Sequence, residues 1–408
     1  MPASPRQSLL EIFSAALAAV NGRERVRAAL SLRPLPAPVH LIAVGKAAAS
    51  MALGAHDALG GAIHGGLVIT KRGYGEPLPW PVIESSHPLP DAASLAAGTA
   101  LLAYIDGIPG SVHVLVLLSG GASALAEALP GGMRLEDLQT LNEWLLASGH
   151  DIGVMNRLRK RLSLLKGGRL AQRLAPRNVT CLAISDVPGD DPRLIGSGPL
   201  VADEVDDSIS TLRTAPADVQ ALLRHAHPLP AASDPCFAQV RFEIVARLAD
   251  AKRAAAEAAR RHGFNAIVDP KFIDGDALAG GARLARVLLD ATPGDLYVWG
   301  GETTVRLPLH PGRGGRNQAM ALSGARVLAG RDGAWLLCAG TDGTDGPTAD
   351  AGALVDGGSI ARGEEAGLDA QVSQDRADAG SFLEASGDLI QTGPTGTNVT
   401  DLILGLRG

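Results

Sequence analysis

Apolar runs in this chain, such as 112–118, stop far short of the ~18–20 residues that a membrane helix needs. No block of basic residues occurs: 37 Lys and Arg face 43 Asp and Glu, for a net charge of −6. A nucleic-acid partner normally requires a basic stripe, so none is expected, and neither is a membrane. Cysteine is scarce, with Cys181, Cys236 and Cys338 odd in number and far apart. That excludes a disulfide framework and a cysteine metal site, and points to a reducing, cytoplasmic setting. Near the N-terminus only Arg6 could supply a charged leader region, and Glu11 interrupts the apolar stretch 8–20. The spacing there fits an amphipathic helix better than a signal peptide.

Glycine, by contrast, is abundant, at 50 of 408 residues against about 7% on average. Hydrophobic residues make up 46%, enough for sizeable cores and about two domains. The glycines sit in discrete loops between apolar runs. Strands are expected at 40–44, 66–70, 82–85, 113–118, 179–185, 242–245, 266–268, 295–299 and 335–339. Helices are expected at 47–59, 91–105, 135–148, 156–171, 246–262, 277–289 and 318–328. This alternation predicts an α/β protein with two domains. The larger N-terminal one would be a doubly wound, mostly parallel sheet, and the smaller C-terminal one a mixed sheet with helices. The Pro-rich stretch 226–241 resembles a linker, which puts the domains at 1–235 and 236–408.

Chemistry gathers at the expected strand ends, where open α/β sheets bind ligands. Lys46 follows the run 41–45, although its surroundings are not those of a P-loop. Ser119-Gly120-Gly121-Ala122-Ser123 follows strand 113–118 and would form an anion nest; it has no nucleophile-elbow pattern. Asp186, Asp190 and Asp191 stand in the next such loop, where carboxylates can hold Mg2+ or accept a hydroxyl proton. In the second half Glu302 follows strand 295–299, and Arg316 with Asn317 opens a helix where anions are favoured. Asp342 and Asp345 fit either ligand contacts or turn-forming side chains. Thr395 and Asn398 add hydroxyl and amide donors close to the C-terminus. The segment His87-Pro88-Leu89-Pro90-Asp91 reads as a turn and helix cap.

Together these residues resemble the class II glycerate 2-kinase family, whose C-terminal part is called the MOFRL domain. The matching segments run from Val44-Gly45-Lys46-Ala47 to Asn398-Val399-Thr400-Asp401. They include Leu162-Ser163-Leu164-Leu165-Lys166-Gly167-Gly168-Arg169-Leu170, the loop 185–189, Gly300-Gly301-Glu302-Thr303-Thr304, Gly314-Gly315-Arg316-Asn317 and Thr341-Asp342-Gly343. The resemblance implies ATP-dependent phosphorylation of the 2-hydroxyl of D-glycerate, with Mg2+, in a cleft between a Rossmann-like domain and a MOFRL-type domain. It implies that Lys46 and Arg316 are catalytic cations. From their own loop positions, rather than from the match, Asp186 is expected to be catalytic or, with Asp190, metal-binding, and Ser119, Gly120, Gly121, Ser123, Asp190, Glu302, Asn317, Asp342, Thr395 and Asn398 to contact substrate or nucleotide. Similar sequences are also called hydroxypyruvate reductases, but no Gly-x-Gly-x-x-Gly follows a strand here. A non-catalytic binder of sugar acids or nucleotides is the third alternative. Assembly into a homo-oligomer is left open.

Overall fold

A computed structural model describes residues 4–147, 152–203 and 215–408. It divides into two compact units, Gly22–Val245 and Met1–Asn21 with Ala246–Gly408.

The first unit is built on six strands, β1 (Val39–Val44), β2 (Ile63–Lys71), β3 (Val82–Ser85), β4 (His113–Leu118), β5 (Val179–Ile184) and β6 (Val240–Ala246). They lie in the order β3-β2-β1-β4-β5-β6. The pairs β2/β3, β1/β2, β1/β4 and β4/β5 are all parallel. Because β1, β4 and β5 are covered on both faces, they read as near-continuous apolar runs with almost every residue buried. The chain moves outward from β1 to β3, then returns to place β4 beside β1, so the sheet switches direction between β1 and β4.

In the second unit, six strands follow the order β11-β10-β9-β12-β8-β7. They are β7 (Asn265–Val268), β8 (Asp295–Gly301), β9 (Ala334–Gly340), β10 (Gly352–Asp356), β11 (Leu389–Ile390) and β12 (Asp401–Arg407). Only β7 and β8 are parallel; β8/β12, β12/β9, β9/β10 and β10/β11 are antiparallel. The sheet is therefore mixed, and helices Ala277–Leu289 and Arg316–Leu328 pack on it through an apolar core that includes Leu284, Leu288, Met320 and Leu322.

Three expectations need correction. The stretch 226–241 is no linker: His227 N–H donates to Arg161 O, Arg169 donates to the carbonyls of His227 and Pro228, and Cys236 is buried in the first core. The division falls after Val245 instead of Pro235, because β6 completes the first sheet. Helix 156–171 is two helices, Ile152–Arg161 and Arg169–Leu174. Between them Gly167 and Gly168 take φ of 57° and 85°, which ends helical geometry. The N-terminal helix Pro5–Ala19 forms as expected but belongs to the unit that holds the C-terminus. Residue 148, the expected end of one helix, lies outside the described residues.

Candidate active site

At the direction switch of the first sheet, the turns after β1 and β4 are bonded to each other. Lys46 N–H donates to Gly120 O at 2.9 Å, Ser119 N–H to Val44 O at 3.1 Å, and Ala47 N–H to Ser119 Oγ at 3.0 Å. Ser119 is fully buried and its hydroxyl holds the neighbouring turn, so it shapes the site and is no nucleophile. Glycine is required at two points. A Cβ on Gly45 (φ 136°) would lie 2.1 Å from Ser119 Oγ, and one on Gly121 (φ 81°) would meet the His87 ring and Lys46 Cγ. The glycines thus let the two turns pack closely together, with the half-buried lysine stem against Gly121.

In the sequence His87 reads only as part of a turn. The cap expected beside it is present, since Asp91 Oδ1 accepts Ala93 N–H and Ser94 N–H ahead of helix Ala92–Asp106. But its imidazole also lies against the Gly121 turn. Two turns meeting at one sheet edge bring it there, and no local pattern announces that.

The loop after β5 adds the third side. Asp186 is half-buried, and Asp190 follows Gly189 with both in the left-handed region, at φ 55° and 75°. Asp191 is committed elsewhere, chelating Arg193 at 2.7–3.0 Å. Farther along, Ser197 Oγ meets Ser123 Oγ at 2.9 Å, tying this loop to the helix that follows Gly121. Among the described residues, no three His, Cys, Asp or Glu side chains gather as a metal site. The oxygen donors of Asp186 and Asp190 nonetheless match Mg2+, which takes one or two carboxylates and fills its remaining positions with phosphate and water.

In the second unit the remaining candidates collect where β8 and β9 end and β12 begins. Asp401 pairs with Gly301 on one side and Gly340 on the other. Its carboxylate takes Arg316 in a fork, Nε at 3.0 Å and Nη2 at 3.2 Å, and Glu302 takes Nη1 at 2.6 Å. Burial opposes the charge of Arg316, but Asp401 and Glu302 outweigh it and hold the guanidinium above its ordinary pKa. The helix N-terminus expected to receive an anion is already filled. Asp345 accepts Asn317 N–H (3.0 Å), Asn317 Nδ2 (3.3 Å) and Gln318 N–H (2.8 Å). Burial pushes the Asp345 carboxyl up to about 7, against the pull of those donors. Asp401 carries no role in the sequence beyond ending the matching segment 398–401, and this role of Asp345 is hidden there because it reads as one more turn aspartate.

Asp342 accepts Thr344 N–H at 3.0 Å, so it forms the turn-shaping bond that was the alternative to ligand contact. Thr395 donates to Thr341 O, which fixes its loop. That loop packs so closely that a Cβ on Gly343 would come within 2.0 Å of Gly393 O. Asn398 is buried in the same loop.

Residues 8–224 match the family described as "Domain of unknown function (DUF4147)", and residues 295–401 match the MOFRL family. A protein of Thermotoga maritima named D-glycerate 2-kinase is 36% identical, over 99% of this chain and 99% of its own length. An Agrobacterium vitis protein named putative hydroxypyruvate reductase is 38% identical over 98% of this chain and 94% of its own. The crystal structure of glycerate kinase from Thermotoga maritima matches with a TM-score of 0.85 and 36% identity, over 98% of this chain and 99% of that one. With its two sheets in this order and both segments matched, the chain belongs to the MOFRL-containing glycerate 2-kinase family.

Proposed function

We propose that this protein transfers the γ-phosphoryl group of ATP to the 2-hydroxyl of D-glycerate, giving 2-phospho-D-glycerate. The observation that carries this reading is the interlocked pair of turns, Gly45-Lys46 and Ser119-Gly120-Gly121, at the switch point of a sheet ordered 3-2-1-4-5-6. That position binds ligands in open α/β sheets, and a glycine-rich turn beside a lysine suits phosphate oxygens. The near full-length relatives named glycerate 2-kinase supply the acceptor.

Roles follow from the charge and chemistry of each group. Lys46 and the Gly120-Gly121 backbone bind phosphate oxygens. Asp186 and Asp190 would hold Mg2+, which when bound neutralises phosphate charge. Arg316 keeps its fork on buried Asp401, but Glu302 is 44% exposed, so Nη1 is the edge that a carboxylate or phosphoryl oxygen can take over. A loose transition state needs charge and alignment more than a strong base, which is why the cations Lys46 and Arg316 are given the leading roles.

The test is purified protein with ATP, MgCl2 and D-glycerate, read by phosphorus NMR for 2-phosphoglycerate. Lys46→Ala should lower kcat by about 100-fold or more, the scale for losing one charge-stabilising donor. Oxidation of NADH with hydroxypyruvate, and no phosphoglycerate, would overturn the proposal in favour of the reductase reading.

A further inference from the structure

Four residues beyond Ser123, Glu127 is buried, and it faces a second buried charge. Its Oε2 accepts Lys166 Nζ at 2.5 Å, and its Oε1 accepts Ser163 Oγ at 2.5 Å. Lys166 leads into Gly167 and Gly168, whose N–H groups donate to Ser197 O (3.0 Å) and Gly198 O (2.8 Å). Ser197 returns through its hydroxyl to Ser123. The contacts close a ring from Ser123 through the short helix Ala122–Leu125 and the extended residues after it to Glu127, across to Lys166, through the glycines to Ser197, and back. Every member lies in the first unit.

We infer that Glu127 and Lys166 are positioning residues for the phosphoryl-transfer site, holding the Ser119–Ser123 turn and the Asp186–Ser197 loop at a fixed separation. This rests on the function proposed above. A buried ion pair adds little net stability, because desolvation offsets the attraction, and apolar residues of similar size often replace one without loss. What apolar residues cannot do is fix direction. With Ser163 on the other oxygen, the carboxylate cannot rotate, so the ammonium, and the glycine turn behind it, has one place to sit. Arg169 anchors the far side by donating to the carbonyls of Lys160, Ser163 and His227. The glycines then have no freedom to let the β5 loop drift from Ser123.

Three variants separate position from stability. Lys166→Met alone strands a buried carboxylate, so both the unfolding midpoint and kcat should fall. The double variant Glu127→Met with Lys166→Met should regain the wild-type midpoint. Its kcat should stay about tenfold or more below wild type, with KM for D-glycerate within about twofold, because misplacement of even 1 Å is that costly. A double variant with wild-type kcat overturns the inference. If the double variant does not regain stability, Ser197→Ala decides, since it deletes only the last bond of the ring from a half-buried position. A several-fold loss of kcat at an unchanged midpoint supports the ring; an unchanged kcat refutes it. Wild-type protein that makes no phosphoglycerate removes the function and the inference together, whereas active wild type with an active double variant removes the inference alone.

Discussion

Single atoms decide the two turns at the switch point. Gly45 sits at φ 136° with Ser119 Oγ and Ser119 O where its Cβ would be, at 2.1 and 2.6 Å. Alanine there is strained in backbone and blocked by another turn's backbone. Gly45→Ala should therefore cost more than about 1 kcal/mol in denaturant unfolding and lower kcat in the same protein. Asp345 makes a different statement. Its carboxyl is raised by burial from 3.8 to about 7, so the folded state holds a proton that the unfolded state releases. The stabilisation is full below about pH 4 and is lost as pH rises through about 7, with a slope of up to roughly 1.4 kcal/mol per pH unit between. Asp345→Asn should flatten that part of the stability curve for the second unit, as measured by urea unfolding from pH 4 to 8. A slope unchanged by the substitution would place the proton elsewhere. The sequence could show that aspartates and glycines alternate near 341–346, but not which of them turns inward. That choice depends on helix Arg316–Leu328 lying within reach 28 residues away.

Among the elements, long apolar runs were the readable ones. Strands 82–85 and 113–118 and helix 277–289 stand at the residues their patterns indicate. Elements whose signal is short or broken were lost: β10, β11 and β12 were not anticipated, nor were the small helices Ser359–Glu365 and Ala370–Asp375. In β12 the run Leu402-Ile403-Leu404 is interrupted by Gly405, which in a strand pattern usually marks an end or a close approach. It is a close approach: a Cβ there would lie 2.6 Å from both Leu288 and Trp299. Since β12 is central, between β8 and β9, repacking around an added methyl disturbs the strand that begins with Asp401. Gly405→Ala should destabilise the protein by about 1–3 kcal/mol in thermal or denaturant unfolding, the usual cost of overpacking. An unchanged midpoint would mean that Leu288 and Trp299 move aside freely.

For the whole molecule, the order of elements along the chain differs from their order in space. The first helix, Pro5–Ala19, buries Leu9, Ile12, Phe13 and Ala16 in the unit whose other residues begin at Ala246. Its polar contacts go there too: Arg6 donates to Leu354 O, Gly387 O and Asp388, Thr397 Oγ1 donates to Val20 O, and Asn21 Nδ2 to Thr395 O. Nothing in the local pattern of 8–20 says which sheet an amphipathic helix will cover, so two contiguous domains were the natural expectation and a discontinuous one is what forms. The consequence is testable by deletion. Residues 22–245 hold their own sheet and cores, so removing 1–21 should leave their amide protection intact. The same deletion should expose the face that Phe13 and Ile12 cover and weaken protection across 246–408, most of all around Thr395 and Thr397, whose partners Asn21 and Val20 are both removed. Hydrogen exchange on the shortened protein reads both halves at once. Loss of protection confined to 22–245 would contradict this assignment of the first helix.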